Sequence, residues 1–153
     1  MQGYFRDPEL TADAIRDGWY HSGDRGYLDS GELYVLGRIK ETVIVRGRNF
    51  EAHDIESVIE RHQGVRPDSA VVFGVYNSER GTDDVIAVVE TKAVGEEQVL
   101  LKQQIQESLL RRFGFLAREL FLVGHGTIPR TASYKKQRLL TRSDYLEGRF
   151  ERH

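Results

Sequence analysis

The sequence predicts an α+β fold: a small N-terminal hairpin unit, a hinge, then a compact antiparallel-type sheet with helices packed on it. Three observations carry that prediction. The 153 residues, 39% hydrophobic and 30% charged, suffice for a real core without staples. Near residue 40 the texture changes from aromatic runs punctuated by Gly, Asp and Ser to β-branched runs and one-sided helical segments. Beyond that point strand, helix, two strands, helix, strand and helix follow in order, which is a layer of helices on one sheet.

In residues 1–37 two short apolar runs, Trp19–Tyr20 and 32–36, flank turn formers and are expected to make a hairpin or strand-loop-strand unit. Such a unit buries too little to stand alone. Residues 38–40 form a short polar joint, the place for a hinge, and 41–153 form the α+β domain. Within it TVIVR at 42–46 reads as a strand ended by Gly47 and Asn49. Residues 53–62 set Ile55, Val58 and Ile59 on one side of a helix that stops at Gly64. Residues 69–76 and 85–91 read as an antiparallel strand pair, Glu96–Phe113 as an amphipathic helix, 120–123 as a short strand and 137–146 as a weak helix. The stretch GHGTIPRTASYKKQR before that last helix is a loop rich in hydroxyls and cations.

Composition narrows the function. Lys plus Arg total 22 against 24 Asp plus Glu, a net charge of -2, so neither nucleic acid nor an anionic membrane is the expected partner. Zero cysteines exclude disulfides, iron-sulfur clusters, thiol nucleophiles and thiolate zinc. No apolar run is long enough to span a bilayer and MQGYFRDPEL carries no signal-peptide stretch, so a cytoplasmic protein is expected. The five histidines, His21, His53, His62, His125 and His153, lack HxxxH or HExxH spacing, and no metal site is expected. Neither a GxSxG elbow nor a GxxxxGK[ST] loop is present.

Three spots can carry chemistry. Ser22-Gly23-Asp24 puts a carboxylate and a hydroxyl on a turn, fit either to grip paired hydroxyls or to cap the turn itself. Arg38 and Lys40 flank Ile39 and, on an extended chain, point to one side, where they can meet a phosphate or simply face solvent. The loop at 129–138 carries Arg130, Lys135, Lys136 and Arg138 as flexible cations able to reach a polyphosphate, or else only to solubilise.

Four segments in this order resemble the C-terminal part of the acyl-adenylate-forming enzymes, which include acyl-CoA synthetases, peptide-synthetase adenylation domains and luciferases. GYFRDPELT is similar to the family's Gly-Tyr-x-x-x-Pro-Glu-x-Thr segment, and GWYHSGDRGYLDSGELYVLGR to its aromatic-x-[Ser/Thr]-Gly-Asp stretch. GRIKETVIVRGRNFEAHDIE resembles the hinge motif and closes on Asp54-Ile55-Glu56, while IPRTASYKKQR parallels Pro-[Lys/Arg]-Thr-x-Ser-Gly-Lys-x-x-Arg. The hinge segment looks most like that of fatty acyl-AMP ligases, with Ile44 where CoA ligases often carry Lys.

The resemblance implies roles. Asp24 binds the ATP ribose, Arg38 contacts the ribose or phosphate region, Lys40 is the hinge, Gly47 lines the acceptor tunnel, and Lys135 bridges the substrate carboxylate and the α-phosphate. ATP and Mg2+ are implied as cofactors, bound mainly by a large N-terminal domain upstream, of which 1–37 is the tail. The implied reaction activates a fatty acid to acyl-adenylate and pyrophosphate, for transfer to the phosphopantetheine arm of an acyl carrier protein. An acyl-CoA synthetase with CoA as acceptor, or a non-catalytic binding module with the same fold, is the alternative. On this view the chain is a fragment with an artificial or inherited Met1, inactive by itself. One departure stands out: Tyr134 occupies the family's Gly position before the lysine, where a permissive backbone angle is lost.

Overall fold

The computed structural model describes residues 2–150, so Met1 and His153 lie outside the described residues. The chain divides into two compact units, Met1–Glu41 and Thr42–His153.

The first unit opens on helix α1 (Pro8–Ala14), which starts where its ends are satisfied. Asp7 Oδ1 accepts from Leu10 N at 2.9 Å, and Pro8 stands in the first turn, where its missing N–H is no loss. Thr11 Oγ1 accepts from Tyr4 N at 2.8 Å and donates to Asp7 O at 2.7 Å. A Cβ on Gly3 would lie 2.8 Å from Thr11 Cγ2, so the chain folds back on the helix this closely only as glycine. The Gly-Tyr-x-x-x-Pro-Glu-x-Thr segment is thus a helix-capping unit.

Two antiparallel ladders follow, β1 (Ile15–Arg16) with β2 (Trp19–Tyr20) and β3 (Asp24–Asp29) with β4 (Glu32–Arg38). The expected hairpin between the two aromatic runs is corrected here: Trp19–Tyr20 pairs backwards onto β1, and 32–36 pairs with β3. Turn chemistry decides it. Asp17 and Gly18 (φ 52° and 79°) and Ser30 and Gly31 (φ 51° and 85°) are two-residue loops with both angles positive, which close each strand on its immediate neighbour. None of the described residues of this unit is buried. After β4, Ile39–Glu41 makes one turn of 3-10 helix.

The second unit holds the core. Its first hairpin, β5 (Thr42–Val45) and β6 (Arg48–Glu51), turns at Arg46 and Gly47, again with both φ positive, 51° and 76°. Thr82 and Asp83 seal the β5 edge: Thr82 Oγ1 accepts from Arg46 N and Asp83 Oδ2 from Ile44 N, each at 2.8 Å. Then come α2 (Ala52–Ile59), β7 (Val65–Asn77), β8 (Thr82–Thr91), α3 (Glu96–Phe113), β9 (Glu119–Val123) and α4 (Arg138–Leu146).

The main sheet has the order β7-β8-β9. β7 and β8 are antiparallel as expected, whereas β9 lies parallel to β8, because α3 carries the chain back across the sheet before β9 begins. The α+β class stands, with this one parallel pairing added to the expected antiparallel set. Alternate residues face two cores. Ala70, Val72, Ala87 and Val89 pack with Ile55 and Ile59 of α2 and Leu101, Ile105 and Leu109 of α3. Val71, Phe73, Ile86 and Val88 pack on the other face with Phe121, Ile128 and Tyr145 of α4. Strands covered on both faces need apolar residues on both sides, hence the unbroken runs AVVF and VIAVV. Among the described residues no helix is long and apolar enough to cross a membrane.

Candidate functional site

Two places in the fold gather the residues singled out by sequence, one in each unit. In the first unit, Asp24 and Arg38 are direct partners across the β3–β4 ladder, and Arg38 Nε lies 3.3 Å from Asp24 Oδ1. The turn is capped by Ser22, whose Oγ accepts from Asp24 N at 3.1 Å, so the Asp24 carboxylate does not cap its own backbone. It faces a guanidinium while remaining 38% exposed, an acceptor that a hydroxyl pair can reach. Lys40 does not join Arg38. The extended spacing assumed for the two breaks at the 3-10 turn, in which residues two apart leave on different sides.

In the second unit the loop before α4 is far more ordered than its composition suggests. Glu56 is 5% exposed on the apolar face of α2. Its Oε1 accepts from Val72 N and from Arg138 Nη2, both at 2.8 Å, and its Oε2 takes the Lys136 ammonium at 3.1 Å. Lys136 Nζ also donates to Glu60 Oε1 at 3.3 Å and to Ala70 O at 2.6 Å. Burial works against the Lys136 charge, but Glu56, Glu60 and the bond to Asp68 outweigh it and lift its pKa above the usual lysine value.

A second buried carboxylate, Glu90 at 1% exposed, holds the other half of the loop. Its Oε1 accepts from Gly126 N and Ile128 N at 2.9 Å each, and its Oε2 faces Arg130 at 3.5 Å. Arg130 in turn donates to Asp68 O at 2.6 Å and to Tyr134 O at 3.2 Å. The expectation of four flexible cations is therefore corrected. Arg130, Lys136 and Arg138 are tied to buried carboxylates, since a charge that enters the interior is stable only when paired.

Lys135 alone of the four is presented outward. Its N–H donates to Thr131 Oγ1 at 3.1 Å and its C=O accepts from Thr131 N at 2.9 Å, so the backbone is fixed. Its side chain is exposed, and the ammonium has no ion pair among the described residues. Tyr134, just before it, holds φ at +62°, so the left-handed angle that the resemblance assigns to glycine is kept by an aromatic residue.

Gly47 lies in the β5–β6 turn, away from the loop that carries Lys135. Its turn is bonded to Thr82, the partner of Asn77 at the end of β7, whereas Lys136 grips Ala70 in the middle of that strand. Asn77 and Ala70 are seven residues apart along the strand, about 23 Å. The second unit thus carries the outward cation and the tight Gly turn at separate places.

Comparisons with known proteins give the family. The family model described as Disco-interacting protein 2-like, AMP domain, matches residues 40–153. The chain belongs to that family. A putative fatty-acid–CoA ligase, fadD25, of Mycobacterium tuberculosis is 33% identical over 169 residues, covering 98% of this AMP-domain chain and 28% of the relative. Among solved structures, a fatty acyl-adenylate ligase from the E. coli and L. pneumophila studies superposes with a TM-score of 0.82 at 31% identity, covering 97% of this chain and 26% of that one. McyG A-PCP complexed with phenylalanyl-adenylate gives 0.89 at 29% identity, covering 96% and 23%. The AMP-domain chain therefore spans about a quarter of the length of the relatives it matches.

The network residues Glu56, Glu60 and Glu90 had no role assigned from sequence. A signal existed for the first two. Glu60 caps the C-terminus of α2 one turn beyond Glu56, and Glu56 falls on the stripe of Ile55 and Ile59, where a carboxylate needs a cationic partner.

Proposed function

We propose that this AMP-domain chain is the mobile C-terminal portion of a ligase that activates a fatty acid with ATP, giving acyl-adenylate and pyrophosphate. The observation that carries the reading is the single outward lysine on a locked loop. When a carboxylate attacks the α-phosphorus, two anions are brought together, and a positioned cation between them offsets their repulsion and stabilises the charge that develops. What supports Lys135 in that role is its fixed backbone, with its neighbours spent on Glu56 and Glu90.

In this reading Asp24 accepts the ribose hydroxyls beside Arg38, and ATP with its Mg2+ is held mainly by a preceding N-terminal domain. Residues 1–37 are the tail of that domain, 38–40 the hinge turning on Lys40, and 41–153 the mobile part. Rotation about the hinge exchanges the Lys135 end of the domain for the Gly47 end, where the acceptor thiol enters. The acceptor is a phosphopantetheinyl carrier protein; CoA is the competing choice, in keeping with a relative named as a CoA ligase.

The test is Lys135→Ala in the longer protein that this reading requires. Pyrophosphate exchange with a fatty acid should fall by about 100-fold or more, the size of losing one preorganised donor to developing charge. An unchanged rate would leave only the non-catalytic binding module. Residues 1–153 alone should release no pyrophosphate.

A further inference from the structure

Six non-glycine residues among those described hold a positive φ: Arg6, Asp17, Ser30, Arg46, Asp68 and Tyr134. Asp17, Ser30 and Arg46 each precede a glycine in a two-residue hairpin loop that demands the angle. Asp68 is of a residue type that tolerates it, and its carboxylate receives Arg130 and Lys136. Tyr134 is the one aromatic residue in the set, and no contact among the described residues rewards its presence. Its ring is 79% exposed, and its hydroxyl has no bond among the described residues.

Its backbone is nevertheless held firmly. Tyr134 N donates to Thr131 O at 2.9 Å, and Tyr134 O accepts from Arg130 Nη1. A bulky side chain kept in a strained conformation by surrounding bonds, with its bulk directed at nothing in the fold, points to work done on a ligand. The adjacent residue is Lys135, the cation assigned above to the reacting carboxylate and α-phosphate.

We propose that Tyr134 is a water-excluding residue of the adenylation site, its ring closing over the acyl–phosphate anhydride while Lys135 holds the charge. The inference rests on the adenylation reading. The step it suppresses is hydrolysis of the product. Water attacks the acyl carbonyl carbon, the bond from that carbon to the phosphate oxygen breaks, and its electron pair leaves with AMP. Free fatty acid and AMP result, with the protons of water released to solvent. An apolar ring covering the carbonyl removes the water and keeps the anhydride for the acceptor thiol.

The experiment uses the longer protein with ATP, Mg2+ and a fatty acid, and no acceptor. The quantity read is AMP released per pyrophosphate exchanged. Tyr134→Gly should raise that ratio about fivefold, a barrier change of about 1 kcal/mol, while Tyr134→Phe, which keeps the ring, should stay near the parent value. The melting temperature of Tyr134→Gly should not fall, since glycine adopts the left-handed angle freely. A glycine variant with the parent's ratio would overturn the inference and leave the Lys135 reading intact. A phenylalanine variant as leaky as the glycine one would overturn it too, because it is the ring that is held to exclude water. No exchange at all in the parent would sink the adenylation reading, and this inference with it.

Discussion

The β3–β4 and β7–β8 hairpins share an antiparallel ladder and differ in their cover. In the first, Leu28, Leu33 and Val35 are 75%, 67% and 64% exposed; in the second, Val71, Val72, Ala87 and Val88 are fully buried. The same local rule built both, a turn closing a strand on its neighbour, so pairing does not depend on burial. What the second hairpin has and the first lacks is helices on both faces and a layer of buried ion pairs along α2. Stability therefore resides in the cover, and the two hairpins should respond to substitution very differently.

The largest effect is expected in the ionic layer. Lys136→Met removes one of the two cations that face Glu56, a carboxylate 5% exposed, and leaves its Oε2 and the Glu60 carboxylate without their shared donor while Arg138 still holds Oε1, which costs about 3–5 kcal/mol. Urea unfolding followed by far-UV circular dichroism measures it, and Lys135→Ala, one residue away, should change stability by less than about 0.5 kcal/mol. The pair also has a pH signature. Because folding raises the Lys136 pKa above its ordinary 10.5, the stabilisation is complete below that value and fades as pH rises through the folded one. Lys136→Met should lack this alkaline loss, so the two unfolding curves should converge above pH 10.5. A gap that persists there would mean that packing of the lysine stem, not its charge, carries the effect.

Next in size is the apolar cover itself. Ile55 is fully buried between α2 and the sheet, and Ile55→Ala should cost about 2–5 kcal/mol. Leu33→Ala, made in the same way on the other hairpin, should cost no more than about 0.5 kcal/mol. Denaturant midpoints of the two variants break the comparison directly, since equal losses would show that the first hairpin is covered after all.

How much of this was legible follows the same division. Helix α3 has the ends that the sequence predicts, because its apolar period is long and Gly114 stops it in the left-handed conformation. The β7–β8 pair is legible from continuous apolar runs, and in the structure it reaches further, to Val65 and Thr82. Strand β6, RNFE, has only Phe50 as an apolar residue, and its strand state comes from the Arg46–Gly47 turn rather than from its own pattern. Helix α1 is outside the expected elements, although Asp7 followed by Pro8 is a helix-start signal in the sequence. At the site, Lys135 and its loop were legible as a motif. The fate of the adjacent Lys136 was not, because Glu56 stands 80 residues away and only the packing of α2 on β7 brings them together.

The smallest effect is the most informative about Tyr134. Two terms oppose each other when it becomes glycine. Relief of the left-handed backbone returns about 1–2 kcal/mol, and the added freedom of glycine in the unfolded chain takes back about 0.4–1 kcal/mol. The ring, 79% exposed, contributes little packing to lose. The net expectation is a gain of about 0.5 kcal/mol for Tyr134→Gly, read as a small upward shift of the denaturant midpoint with an unchanged slope. A loss instead would show that the ring is packed in the folded chain, and the strain at φ +62° would then be compensated inside the fold. A gain means that the fold tolerates Tyr134 at a cost, which leaves the site beside Lys135 as the place where the ring is useful.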